Sequence, residues 1–268
     1  MRRLLRWIAI VMGCLVALAI VAIGVVYGRS EWMLRHARPV PAVVISIPVD
    51  SASIIEGQRL ATIRGCFGGC HGKQAEGKLL FDEPMIARLV APNLTAAVGK
   101  YSDAELAVVI RNGLRPGGRS VFVMPSSTFV ALTDGDLGRI IVFLRSLPAV
   151  AGPAQSFSLG PIGRLGVAMG EFKSEAQLIA ETVPPPEAAG EQASNGRYLA
   201  RTICAECHGT DLSGASFPEF TSPNLRIVAA YSAEAFTQLL RTGVALGGRS
   251  LRTMSPAARE HLHSSRIR

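Results

Sequence analysis

The chain has 268 residues, 49% of them hydrophobic and 18% charged, with a formal net charge of +8. That length accommodates two domains of about 100 residues each, and a mean hydropathy of +0.30 directs the search first to an apolar segment. The positive charge is scattered over single arginines rather than gathered into runs with interleaved aromatics, so a nucleic-acid partner is excluded.

Residues 1–40 form a unit of their own. Arg2, Arg3 and Arg6 give a positive start, and residues 7–27 follow without a charge. As a helix this stretch spans roughly 30 Å, the thickness of a bilayer's hydrocarbon core. Trp7 and Tyr27 stand at its ends, where aromatic belts lie. A cleaved signal peptide is the alternative, but it needs an apolar region of about 7–15 residues and a small-x-small exit. Val26-Tyr27-Gly28-Arg29 offers no such exit, so an uncleaved anchor is expected. Arg29, Arg35 and Arg38 follow the span, and the charge bias alone does not orient it. Cys14, in Val11-Met12-Gly13-Cys14, loosely suggests a lipoprotein box, but it reads better as a small apolar side chain in a run that continues past it.

The remainder contains two segments that answer each other. Gly57-Gln58-Arg59-Leu60 precedes Cys66-Phe67-Gly68-Gly69-Cys70-His71-Gly72, and Gly196-Arg197-Tyr198-Leu199 precedes Cys204-Ala205-Glu206-Cys207-His208-Gly209. Pro92-Asn93-Leu94 matches Pro223-Asn224-Leu225. At a constant offset of 130, Tyr101-Ser102, Arg111, Gly113, Gly117-Gly118-Arg119-Ser120 and Met124 match Tyr231-Ser232, Arg241, Gly243, Gly247-Gly248-Arg249-Ser250 and Met254. Rare residue types in one order at fixed spacing imply two copies of one domain, at 52–149 and 190–268. A proline-containing linker, 150–189, reads as a semi-rigid extended spacer with a short helix over 171–181.

Both copies read as mainly helical. Helical leads over 56–63 and 195–203 run into the cysteine motifs. Ser102 caps a helix over 103–112, with Glu105 completing a capping box and Gly113 ending it. The pattern repeats over 232–242. Thr133 caps another helix, in which Leu137, Ile140, Ile141 and Leu144 share a face until Pro148. The second copy has no counterpart of that face, so its C-terminal helix is expected to be missing.

Cys204-Ala205-Glu206-Cys207-His208 is a C-x-x-C-H sequence, the attachment signature of c-type haem. Two thiols add to the two vinyl groups of the porphyrin, and the adjacent His takes an axial position on the iron. In the first copy three residues separate Cys66 from Cys70, and Gly68-Gly69 supplies the freedom to loop out one residue. His71 and His208 are therefore the expected iron ligands, with two covalently bound haem c groups in all. A disulfide within each pair or a four-cysteine zinc site would use the same thiols, but neither explains a His after each pair. Met124 and Met254 occupy matching places after Gly-Gly-Arg-Ser and are the expected sixth ligands, since a thioether stabilises ferrous iron. Met85 competes with Met124, and His261 or His263 with Met254. Pro92 and Pro223 could offer carbonyls to the ligand imidazoles. Arg111 and Arg241 could pair with haem propionates.

The order C-x-x-C-H-G, Pro-Asn-Leu, Tyr-Ser, Arg-x-Gly, Gly-Arg and Met resembles class I cytochrome c domains. It is similar to the multihaem cytochrome c subunits of bacterial periplasmic alcohol and aldehyde dehydrogenases. The resemblance covers 52–149 and 190–254. It implies an all-α fold with two tandem cytochrome c domains after an N-terminal transmembrane helix. It also implies an inner-membrane protein with periplasmic haem domains and a cytoplasmic N-terminus. Such a protein has no substrate chemistry of its own. It would relay electrons between a dehydrogenase and the respiratory chain, through a quinone-linked complex or an oxidase. A haem peroxidase or a haem-bearing subunit of a terminal oxidase is the alternative. The C-x-x-x-C-H motif departs from the family pattern, as does the short tail after Met254.

Overall fold

The computed structural model describes residues 1–181, 191–216 and 220–251. Helix α1 (Arg2–Arg35) is continuous and extends eight residues past the apolar span. It is long and apolar enough to cross a membrane, and none of that apolar window is buried.

Helix α2 (Ser51–Ile63) starts at Asp50, whose carboxylate accepts the Ser53 N–H at 2.8 Å. The first cysteine motif follows. Next come a hairpin, β1 (Lys78–Glu83) and β2 (Ala87–Ala91), and the single turn α3 (Leu94–Ala97). Helix α4 (Asp103–Asn112) has the full Ser102–Glu105 capping box and a left-handed Gly113 at its end. The turn α5 (Ser126–Phe129) leads to α6 (Asp134–Ser146), whose Thr133 cap accepts the Asp136 N–H at 3.2 Å. Helix α2 crosses α6 at Gly57, where a Cβ would sit 1.9 Å from the Arg139 carbonyl oxygen. Only glycine permits this approach, and it brings Leu60, Ala61 and Ile63 against Leu137, Ile140, Ile141 and Leu144. Leu106, Ala107 and Ile110 of α4 and Phe129 of α5 complete the core. Each large aliphatic buried there contributes about 1.5–3 kcal/mol.

Strand β3 (Ser156–Leu159), helix α7 (Pro161–Met169) and helix α8 (Glu175–Glu181) occupy the segment expected to be an extended spacer. β3 pairs antiparallel with β2 and makes the sheet order β1-β2-β3. Helix α7 packs on α1, and α8 packs on α4 and α5. Residues 150–181 are thus part of the first globular unit, because long-range strand pairing and apolar contacts override local proline content. The proline run 184–186 lies outside the described residues.

The second repeat comprises α9 (Glu191–Leu199), a wide π-type turn (Ala200–Cys204), α10 (Ala205–His208), the hairpin β4 (Ala215–Ser216) and β5 (Thr221–Ser222), a 3₁₀ segment (Leu225–Ala230) and α11 (Ala233–Thr242). Ser232 caps α11 and a left-handed Gly243 ends it. The structure is mainly helical, but its two small antiparallel sheets depart from the all-α expectation. Between the equivalent rungs Lys78↔Ala91 and Ala215↔Ser222, the first hairpin is six residues longer. That extension supplies the edge on which β3 pairs. The tail expected to lack a helix lies outside the described residues.

Candidate haem-attachment site

Both motifs sit in loops built by the same hydrogen bonds. Gly77 N–H donates to the His71 carbonyl at 2.8 Å, and Gly214 N–H to the His208 carbonyl at 2.8 Å. Leu94 N–H donates to the Ala75 carbonyl at 2.8 Å, and Leu225 N–H to the Leu212 carbonyl at 3.0 Å. Ala75 and Leu212 share a left-handed backbone with φ 62°. Downstream, Val121 N–H donates to Gly113 and Leu251 N–H to Gly243, closing matching loops around the two Gly-Gly-Arg-Ser stretches.

The imidazoles are held alike. His71 Nδ1 lies 2.9 Å from the Pro92 carbonyl oxygen, and His208 Nδ1 lies 2.8 Å from that of Pro223. A carbonyl only accepts, so each Nδ1 carries the proton and each Nε2 keeps its lone pair for a metal. His71 is buried, and burial lowers its pKa and so favours the neutral ring, against the Pro92 bond, which acts to raise it.

Cys66 follows the end of α2, and its thiol is pushed up to about 12 by burial. Burial likewise raises Cys70, Cys204 and Cys207. The extra residue of the first motif is absorbed at Gly68, which is left-handed with φ 78°, and at Gly69, where a Cβ would lie 2.7 Å from the Gly65 carbonyl oxygen. All five cysteines carry free thiols. Among the described residues, no three His, Cys, Asp or Glu side chains converge as a zinc site would require.

Met124 is half-buried against the α2–α6 core, in a turn closed by Met124 N–H to Phe122 and Ser126 N–H to Met124. Val123 before it has φ 72°, a strained conformation for a β-branched residue. Met85 instead stands exposed at the tip of the first hairpin. Met254, His261 and His263 lie outside the described residues. Arg111 is ion-paired with Asp134 at 2.7 Å and donates to the Leu132 carbonyl at 2.8 Å. Arg241 is exposed on α11.

Several contacts at this site carry no sequence motif. Phe122 stacks on Phe157 of β3 and meets Phe172, with ring centroids 5.3 and 5.4 Å away. The buried Glu175 carboxylate accepts the Ser127 N–H at 2.8 Å, so the linker clamps the Met124 turn. The repeats also touch. Arg64, buried two residues before Cys66, donates through Nη2 to Thr202 Oγ1 at 3.1 Å, and Thr202 stands two residues before Cys204. Equivalent positions therefore meet. Tyr198 OH donates to Asp136 at 2.5 Å. Glu206, between the second pair of cysteines, lies near enough to Cys66 and Cys70 for its charge to add to the effect of burial on both thiols.

The chain is similar to cytochrome subunits of dehydrogenases. Over 169 residues it is 23% identical to the cytochrome c subunit of the quinone alcohol dehydrogenase of Gluconacetobacter polyoxogenes, covering 59% of this chain and 36% of that protein. The Komagataeibacter europaeus subunit gives the same figures. The fructose dehydrogenase cytochrome subunit of Gluconobacter japonicus is 26% identical over 136 residues, covering 47% of this chain and 26% of that protein. The chain thus spans about a third or less of the length of these relatives. No protein-family profile matches it.

Proposed function

We propose that the chain is a membrane-anchored dihaem cytochrome c that passes electrons from a dehydrogenase toward the respiratory chain. Its two tandem domains would each hold one covalent haem at the periplasmic face of the inner membrane. The observation that carries this reading is the pair of motif imidazoles, each aimed by a proline carbonyl and each directly following two cysteines that are not joined in a disulfide. The similarity to cytochrome subunits of alcohol and fructose dehydrogenases supports the same class.

The residues present fit the group. Cys66 and Cys70 would hold one haem and Cys204 and Cys207 the other, with His71 and His208 on the iron through Nε2. Met124, and Met254 by its place in the repeat, would supply a further ligand. Haem c when bound supplies a one-electron ferric/ferrous couple. The protein's part is to fix the ligand tautomer at Pro92 and Pro223, to exclude water with the α2–α6 core, and to hold the Met124 turn through Phe157, Phe172 and Glu175. A His and a Met committed to each haem would leave no place for a substrate to bind, which favours transfer over peroxidase chemistry. The contact between Arg64 and Thr202 joins the segments that lead into the two cysteine motifs, which supports electron transfer within one chain.

The test uses native membranes. A tagged full chain should co-purify with a dehydrogenase, and adding that enzyme's substrate should reduce its haem bands. Haem bands that stay oxidised in the presence of a competent, co-purified dehydrogenase would contradict the assignment.

A further inference from the structure

The first globular unit carries an apolar surface that its own fold does not use. Helix α7 buries Gly163, Val167 and Ala168. On its other side Ile162, Leu165 and Met169 recur at intervals of three and four residues, which places them on one helical face. The hairpin tip, Met85 and Ile86, is stitched to the start of α7: Gly160 N–H donates to the Ile86 carbonyl and Ile162 N–H to the Met85 carbonyl, both at 2.9 Å. These five side chains are 43–66% exposed. A soluble helix turns its polar face outward, and here the outward face is apolar.

The position of this face decides what covers it. Helix α7 docks where α1 leaves its apolar span. Arg164 lies over the Tyr27 ring at 4.9 Å and donates to Ser30 Oγ at 3.2 Å and to Glu31 at 2.9 Å. Arg29 Nε donates to the Ala168 carbonyl at 2.8 Å. These contacts fall within four residues of Tyr27, roughly 6 Å along the helix axis. That is the headgroup level if residues 7–27 cross the bilayer. Trp32, 63% exposed on α1, lies at a similar level, and interfacial tryptophans favour this depth. The hairpin extension that presents Met85 and Ile86 exists only in the first repeat.

We propose that the α7 face and the hairpin tip are a lipid-docking surface, seated in the headgroup–acyl boundary of the membrane that α1 spans. It fixes the first haem domain flat against the bilayer rather than leaving it on a flexible stalk. Exposed apolar surface of this kind binds an interface in proportion to the area it buries. The proposal rests on the anchor reading of α1, and the test separates the two.

The full haem-loaded chain is placed in phospholipid nanodiscs containing a lipid with a carbene-generating diazirine near the headgroup. Labelled peptides are then mapped by mass spectrometry. Label on residues 7–27, on 161–169 and at 84–86 is the expected result. The double variant Leu165→Glu/Met169→Glu should lose the label on 161–169 while keeping that on 7–27 and an unchanged haem spectrum. Label on 7–27 alone would overturn the docking proposal and leave the anchor intact. No label on 7–27 would overturn the anchor reading and the proposal with it. Loss of the 161–169 label when a purified dehydrogenase subunit is added would assign the face to a protein partner and also overturn the proposal.

Discussion

Single residues set the character of each site. His71 and His208 need no further residue to choose a tautomer, because a proline carbonyl 2.8–2.9 Å from Nδ1 does so. On the haem reading, Met124 governs the potential of the first site. Replacing it with His should lower that potential by on the order of 0.1–0.3 V, a fraction of the roughly 0.8 V that axial ligands command. A spectroelectrochemical titration reads this directly, and an unmoved midpoint would remove Met124 from the iron. Glu175 offers a pH test. Burial raises its pKa above the ordinary 4.5, so the unfolded chain binds fewer protons than the folded one as pH climbs through that range. Stability is therefore lost as pH rises from the ordinary value through the folded pKa. Glu175→Gln, which keeps an acceptor for Ser127 N–H, should melt higher than the parent near pH 7 and match it near pH 4.

The elements were unevenly legible in the sequence. Helices α4, α6 and α11 follow from Ser102, Thr133 and Ser232 with apolar spacing behind them, because capping and periodicity are local. The α1 span was equally plain, although the helix runs on to Arg35. The β1–β2–β3 sheet was not legible. Its strands are short, β3 sits beside Pro153 and Pro161, and pairing with β2 is a long-range event. The clamp of Phe157, Phe172 and Glu175 on the Met124 turn was hidden for the same reason. At the candidate site, the cysteines, histidines and methionines could be named from spacing alone, whereas the ion pair that occupies Arg111 depends on where α6 begins. The crossing of α2 and α6 makes a sharp prediction. Gly57→Ala puts a methyl group against the Arg139 carbonyl and should cost about 1–3 kcal/mol in thermal unfolding, with loss of haem from the first site at elevated temperature. A silent Gly57→Ala would mean that the two helices do not cross there.

At the scale of the whole molecule, two repeats meet at matching positions. Arg64 and Thr202 stand at the same distance before their motifs, and Tyr198 reaches Asp136 at the start of α6. Hydrogen bonds to charged groups of this kind contribute about 1.5–3 kcal/mol each. Tyr198→Phe combined with Thr202→Val should uncouple the repeats, so that calorimetry resolves two unfolding transitions in place of one. The first globular unit is seated on α1 through α7, and the second repeat is held on the first through the Arg64–Thr202 and Tyr198–Asp136 contacts.

On the proposed function each cysteine–histidine motif carries one covalent haem. The most direct measurement is haem per polypeptide by pyridine haemochrome, on chain matured by a c-type haem attachment system, for the parent, His71→Ala and His208→Ala. Two haems are expected in the parent, with loss of a different one in each variant. A parent with one haem would mean that one of the two motifs is not an attachment site, and a parent with none would contradict the cytochrome assignment altogether.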